Sequence, residues 1–278
     1  MGAAKVAPVF GSLPLRHLSV VAAAAAACLA AASIAHTETA PAKLAAAKSA
    51  KHALLTELAA QVSAAREKAT DAKLVSFGTR HTLSDPKSDT RGIGAARRWV
   101  ASEFAAMSKD CGGCLTVETP SDTVTGRRVP KPTEVMDILA IQKGTTDPDR
   151  VIVISGHIDS RVTDVMNATA DAPGANDDGS GATAVIEAAR VLSKHKFPAT
   201  LVFAALSGEE QGLLGGKVLA DYATRRGWHV EADLNNDIVG NSTGLNGVHD
   251  ASYVRVFSEG TKTVETPAET DKRRYNGG

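Results

Sequence analysis

Residues 151–159 read Val151-Ile152-Val153-Ile154-Ser155-Gly156-His157-Ile158-Asp159. The unbroken β-branched run predicts a strand buried on both faces, because a half-exposed strand would alternate apolar with polar residues. Outward from it, 179–195 carries Ala184, Val185, Ala188, Val191 and Leu192 at helical spacing. Leu201–Leu206 reads as a second buried strand, Leu213–Arg226 as a helix and Leu234–Val239 as a third strand, with Val254–Phe257 a candidate fourth. Strands alternating with helices at this interval predict an α/β fold with a mostly parallel central sheet flanked by helices.

Ligands of such sheets bind beyond the carboxyl ends of the strands. There the sequence places His157 and Asp159, then Asn176-Asp177-Asp178-Gly179, then Gly208-Glu209-Glu210, then Asn235-Asn236-Asp237. Each piece alone has an ordinary reading. His157 could be a polar strand end, Asp159 a turn residue, Asp177-Asp178-Gly179 a turn and helix cap, and Glu209-Glu210 a charged helix start. Asp237 is harder to dismiss, since Asp is depleted in strands. Gathered on one rim, these carboxylates could not all stay ionised without a cation. One imidazole with several carboxylates suits zinc, and also cobalt or manganese. Such a set can hold two ions with an activated water between them, and a separate carboxylate must then accept the water's proton. Adjacent Glu209 and Glu210 project differently and could divide those two roles.

Upstream, Gly94–Met107 reads as a helix with Ala95, Trp99, Val100 and Phe104 on one face. Leu115–Glu118 and Val135–Gln142 read as strands joined by a long loop holding Gly126, Pro130 and Pro132. Residues 36–73 read as an N-terminal helical segment, a loose stretch followed by a surface helix with Leu54, Leu55, Leu58 and Val62 at helical spacing. Residues 1–35 have the pattern of a secretory signal peptide: Lys5 and Arg16, an uncharged run from Leu18 to Ala32, and small residues at Ser33 and Ala35. The run is short and Ala-rich for a membrane anchor, and the context of Cys28 fits a lipoprotein poorly. The expectation is export, to the periplasm or beyond the cell, with no membrane association after cleavage. In an oxidising compartment Cys111 and Cys114 read as a local disulfide across Gly112-Gly113 rather than free or catalytic thiols.

The 278 residues carry 31 Lys+Arg against 31 Asp+Glu. That balance removes the electrostatic argument for a nucleic-acid partner. Aromatic residues make up only 4%, so the core must be aliphatic.

Gly156-His157-Ile158-Asp159-Ser160, Pro173-Gly174-Ala175-Asn176-Asp177-Asp178-Gly179-Ser180-Gly181 and Glu209-Glu210-Gln211-Gly212-Leu213, in this order, resemble the signatures of the di-zinc aminopeptidases of peptidase family M28, which also include glutamate carboxypeptidase II-like enzymes. The resemblance covers about Leu74 to Gly240 and implies a three-layer zinc exopeptidase-like fold, with residues 74–278 as an incomplete metallopeptidase domain. It implies two zinc ions: one on His157 and Asp237, one on Glu210, with Asp177 bridging. It makes Glu209 the general base acting through a metal-bridging water, and Asp159 the group that orients the His157 ring. It implies a cis peptide between Asp177 and Asp178, and a peptide substrate cleaved at its N-terminal bond. A carboxypeptidase or amidase would keep the metals and change the pocket, whereas a binding module would have no need of the donors.

The family's fifth ligand is a His well downstream of the Asp237 position. His249 is the remaining candidate, but it lacks the family's context for that role. The expectation is that the chain is a fragment, with the second zinc left on Asp177 and Glu210 and activity low. His52, His81, His195 and His229 read as remote from the rim.

Overall fold

The structure is a computed structural model, and it describes residues 52–244, 247–252, 256 and 266. The chain divides between Ala50 and Lys51, and all the described residues belong to the second unit. The signal-peptide reading of 1–35 and most of the candidate strand at 254–257 lie outside the described residues.

Central to the fold is a five-stranded sheet in the order β1-β4-β6-β5-β7. Its strands are β1 (Thr116–Glu118), β4 (Ile138–Gln142), β5 (Asp147–His157), β6 (Ala199–Leu206) and β7 (His229–Asn235). β5 runs parallel to both β6 and β7, so their carboxyl ends meet on one edge. β4 is antiparallel to β6 and to β1, which makes the sheet mixed while leaving its site-bearing part parallel.

The β-branched runs are buried on both faces, as their composition predicts. On one face Ile138, Ala140, Ile154, Leu201, Phe203 and Ala205 share a core with Val100 and Phe104 of α3 (Gly92–Asp110) and with Val185, Ile186 and Ala189 of α4 (Ser180–Leu192). On the other, Leu139, Ile141, Val151, Val153, Val202 and Ala204 meet Leu219 and Tyr222 of α5 (Leu214–Arg225). Consecutive strand residues therefore alternate between the two cores, as the pleat requires.

Three expectations need correction. The helical segment before residue 73 is two helices in its described part, α1 (Ala53–Ala60) and α2 (Ala64–Val75). Ser63 breaks it by capping α2, its hydroxyl accepting from the Arg66 N–H. The long loop between the early strands is a two-stranded antiparallel ribbon of β2 (Ser121–Gly126) and β3 (Val129–Met136). Pro130 and Pro132 are exposed within it, and a two-stranded ribbon has an outer edge where a missing N–H costs nothing. β7 ends at Asn235, so Asp237 lies just past the strand rather than within it. Among the described residues, no helix is long and apolar enough to cross a membrane. Cys111 and Cys114 form the expected disulfide.

Candidate metal centre

His157 closes β5 and is 3% exposed. Its ring is held from the Nδ1 side, 3.1 Å from the Asp159 carbonyl oxygen and 3.4 Å from Asp159 Oδ1. Nε2 is left facing the rim, 3.3 Å from Asp177 Oδ1 and 3.9 Å from Glu209 Oε2. Burial disfavours a charged ring here, but the Asp159, Asp178 and Glu209 carboxylates outweigh it and raise the imidazole to about 10. A place that holds a proton so firmly is a place that favours a cation.

Asp177 lies in the kinked segment Ala175–Gly179, joined to Asp178 by the expected cis peptide. Donor atoms of His157, Asp177 and Asp237 all lie within 4.8 Å of one another. One nitrogen and two carboxylate oxygens, with the imidazole's other nitrogen already anchored, form a donor set that fits a divalent ion such as zinc.

Asp159 is fully buried and acts as a hub. Oδ2 accepts from the Thr82 hydroxyl at 2.9 Å and the Glu210 N–H at 3.1 Å, while Oδ1 accepts from the Glu209 N–H at 3.1 Å. Burial alone would push its carboxyl up, yet the His157 ring, the Thr82 hydroxyl and the Glu210 amide hold it below the ordinary carboxylate range. One carboxylate thus orients the imidazole and positions the backbone of both glutamates. Burial raises Glu209 above its usual value against the pull of His157, and Asp159, Glu210 and Asp237 add to the rise. That direction suits a general base.

Glu210 stands outside the His157–Asp177–Asp237 group, as a ligand of a separate ion would, and its carboxylate is paired with an arginine. Its Oε2 is 2.5 Å from Arg161 Nε, with the side chain 9% exposed. The physical reason is charge pairing: a nearly buried carboxylate needs a cation, and Arg161 supplies one. His249 also stays outside the group, its Nδ1 lying 3.3 Å from the Ser242 hydroxyl and 3.1 Å from that of Thr243.

Several residues of the site carried no sequence signal strong enough to single them out. Asp178 staples three rim segments: Oδ2 accepts from the His157 N–H, and Oδ1 from the Gly181 and Ile238 N–H groups. Its position in the Asp-Asp pair was the available hint. Arg80 is fully buried and donates to the carbonyls of Ile158, Leu74, Pro173 and Gly174, fixing the approach to Asp177. His81 is not remote, because it is buried beside the rim loops. Its Nδ1 accepts from the Leu83 N–H, so Nε2 carries the proton and donates to the Val165 carbonyl 3.0 Å away.

A family model described as "Peptidase family M28" matches residues 137–274. A probable zinc metalloprotease of Pyrenophora teres f. teres is 47% identical over 221 residues, covering 78% of this chain and 46% of that protein. One from Pyricularia oryzae is 47% identical over 215 residues, covering 77% of this chain and 42% of that protein. The chain spans about half the length of the curated relatives it matches. Among solved structures, LapB from Legionella pneumophila aligns with a TM-score of 0.55 at 24% identity, over 70% of this chain and 48% of that one. A leucine aminopeptidase precursor from Bacteroides thetaiotaomicron aligns with a TM-score of 0.53 at 19% identity, over 66% and 65%. These two likenesses show the fold.

Proposed function

The chain belongs to peptidase family M28, and from that premise we propose that it is the catalytic part of an exported, zinc-dependent aminopeptidase. The observation that carries the reading is the convergence of His157, Asp177 and Asp237 with Glu209 Oε2 only 3.9 Å from the same imidazole nitrogen. Export is supported by the N-terminal charge-and-Ala pattern and by the Cys111–Cys114 disulfide, a bond at home in oxidising compartments.

His157, Asp177 and Asp237 would hold the zinc. Bound there, zinc would polarise the scissile carbonyl and make a water acidic near neutral pH. Glu209 takes the proton of the attacking water and returns it to the leaving amine, a transfer favoured by its raised affinity for protons. Asp159 keeps the His157 ring turned so that Nε2 faces the rim. Through the Glu209 N–H it also holds the base at a fixed distance from the imidazole. Asp178 ties the ends of β5 and α4 and the segment after β7 together, so that the three donors share one place.

The test is hydrolysis of amino-acid p-nitroanilides by purified protein, with free or acetylated amines, before and after chelation. Turnover of the free-amine series alone, lost on chelation and regained with zinc, is the expected result. Equal turnover of acetylated substrates would overturn the aminopeptidase reading, and indifference to chelation would overturn the metal.

A further inference from the structure

The family resemblance implies a second ion on Glu210, yet that carboxylate is already matched by a positive charge of the chain's own. Arg161 Nε lies 2.5 Å from Glu210 Oε2. The guanidinium is steadied by its own loop, with Nη1 directed at the carbonyls of Val162 and Thr163 at 3.3 and 3.5 Å. The Glu210 backbone is fixed on both sides: its N–H donates to Asp159 Oδ2 at 3.1 Å, and its carbonyl accepts from Arg128 Nη1 of the β2–β3 ribbon at 3.1 Å. The carboxylate is thus presented to Arg161 by its backbone anchors.

We infer that Arg161 is a built-in cation that takes the place of a second metal ion, leaving a site with a single zinc on His157, Asp177 and Asp237. The inference rests on the zinc-peptidase reading above. On this assignment one divalent ion would offset Asp177 and Asp237, the guanidinium offsets Glu210, and Glu209 is left as the base. The guanidinium occupies the Glu210 oxygen itself, with Nε 2.5 Å from Oε2, so a second divalent ion on Glu210 would meet a fixed positive charge within a few ångströms. Like charges so close repel strongly in a partly buried site. Arginine suits the role because it does not lose its proton under ordinary conditions, whereas a lysine can.

The experiment counts zinc. The 278-residue chain is dialysed against zinc at a fixed free concentration, and the bound metal is measured by elemental analysis alongside cobalt titration followed by visible absorption. The wild type and Arg161→Lys, which keeps the charge, are expected to bind one equivalent. Arg161→Gln is expected to bind close to two, and Glu210→Gln added to it should bring the count back to one. Two equivalents in the wild type, or one equivalent in Arg161→Gln with an unchanged circular-dichroism spectrum, overturns the inference. If Arg161→Gln does not fold, the wild-type and Arg161→Lys counts decide alone, and two equivalents in either overturns it. No bound zinc in the wild type overturns the zinc-peptidase reading itself, and the inference with it.

Discussion

At the scale of single residues, the proposed reading separates groups that would hold the ion from the group that would move protons. Glu209 lies close to the imidazole but outside the donor trio. Glu209→Gln should lower kcat by roughly 10²–10⁴-fold, the usual contribution of a general base, with zinc content unchanged by elemental analysis. Joint loss of metal and activity would make Glu209 a ligand instead. Asp159→Asn should weaken zinc about 10–100-fold, because the imidazole loses the carboxylate that orients it, and a competitive titration against a chromogenic chelator measures this. Gly181 is restricted for a different reason. A Cβ there would come 2.2 Å from the Asn236 carbonyl oxygen and 2.4 Å from Asp178 Oδ2. The sequence pattern named every member of the donor trio, since each stands at a strand end or in a motif. It gave no hint that Arg161 would pair with Glu210, because a pairing between two rim loops depends on how those loops fold over one another.

Among the elements, the parallel trio β6-β5-β7 decides where the donors meet, and α4 locks the arrangement. Gly156 and Gly181 let the start of α4 press directly on β5, where a Cβ on Gly156 would lie 2.8 Å from the Gly181 backbone. On its outer side α4 holds the N-terminal helices. Glu187 Oε1 accepts from the Ser63 N–H at 2.8 Å, and Arg190 donates to the Gln61 carbonyl at 2.5 Å. Glu187 is 5% exposed, and Glu187→Ala removes the acceptor of the half-buried Ser63 N–H and the carboxylate paired with Arg190, which keeps only its bond to the Gln61 carbonyl. We expect a loss of about 1–3 kcal/mol in urea unfolding, with faster amide exchange across 53–75. Helical periodicity exposed the existence of these helices. The ribbon of β2 and β3 was hidden because its prolines and polar residues read as a loop, and only pairing between the two strands makes them extended.

Over the whole molecule, stability should carry the mark of buried carboxyls. Asp137 is fully buried at the start of β4, its Oδ1 accepting from the Ser207 N–H at 3.0 Å. Burial pushes its carboxyl up to about 8, against the Ser207 hydrogen bond and the charge of Arg97, and with Asp159 adding to the rise. The folded value lies above the ordinary 3.8, so the folded state binds the proton more tightly than the unfolded one. The contribution is complete below about pH 4 and is lost as pH rises through 8. Asp137→Asn keeps the acceptor for Ser207 and removes the proton. Relative to it, the wild type should lose stability across that window by up to about 1.4 kcal/mol per pH unit, read from urea midpoints at several pH values. Equal slopes in the two proteins would rule out a raised Asp137. Zinc should raise the Tm in proportion to the logarithm of its free concentration, because it binds the folded site alone, and chelation should reverse the rise.

Local order in the chain was enough to determine the alternation of strands and helices, the buried β-branched runs, the helix-breaking serine's neighbourhood as helical, and the identity of the rim donors. These depend on side-chain periodicity and on which residue types chemistry needs at a strand end, and both are properties of short stretches. Tertiary structure alone decided which acids converge with His157 and which is paired with an arginine. That choice rests on distances between loops 20 to 80 residues apart in sequence, from His157 to Asp177 across 20 positions to His157 to Asp237 across 80, with Arg161 to Glu210 across 49. Electrostatic pairing falls off over a few ångströms of space, and no spacing along the chain encodes it.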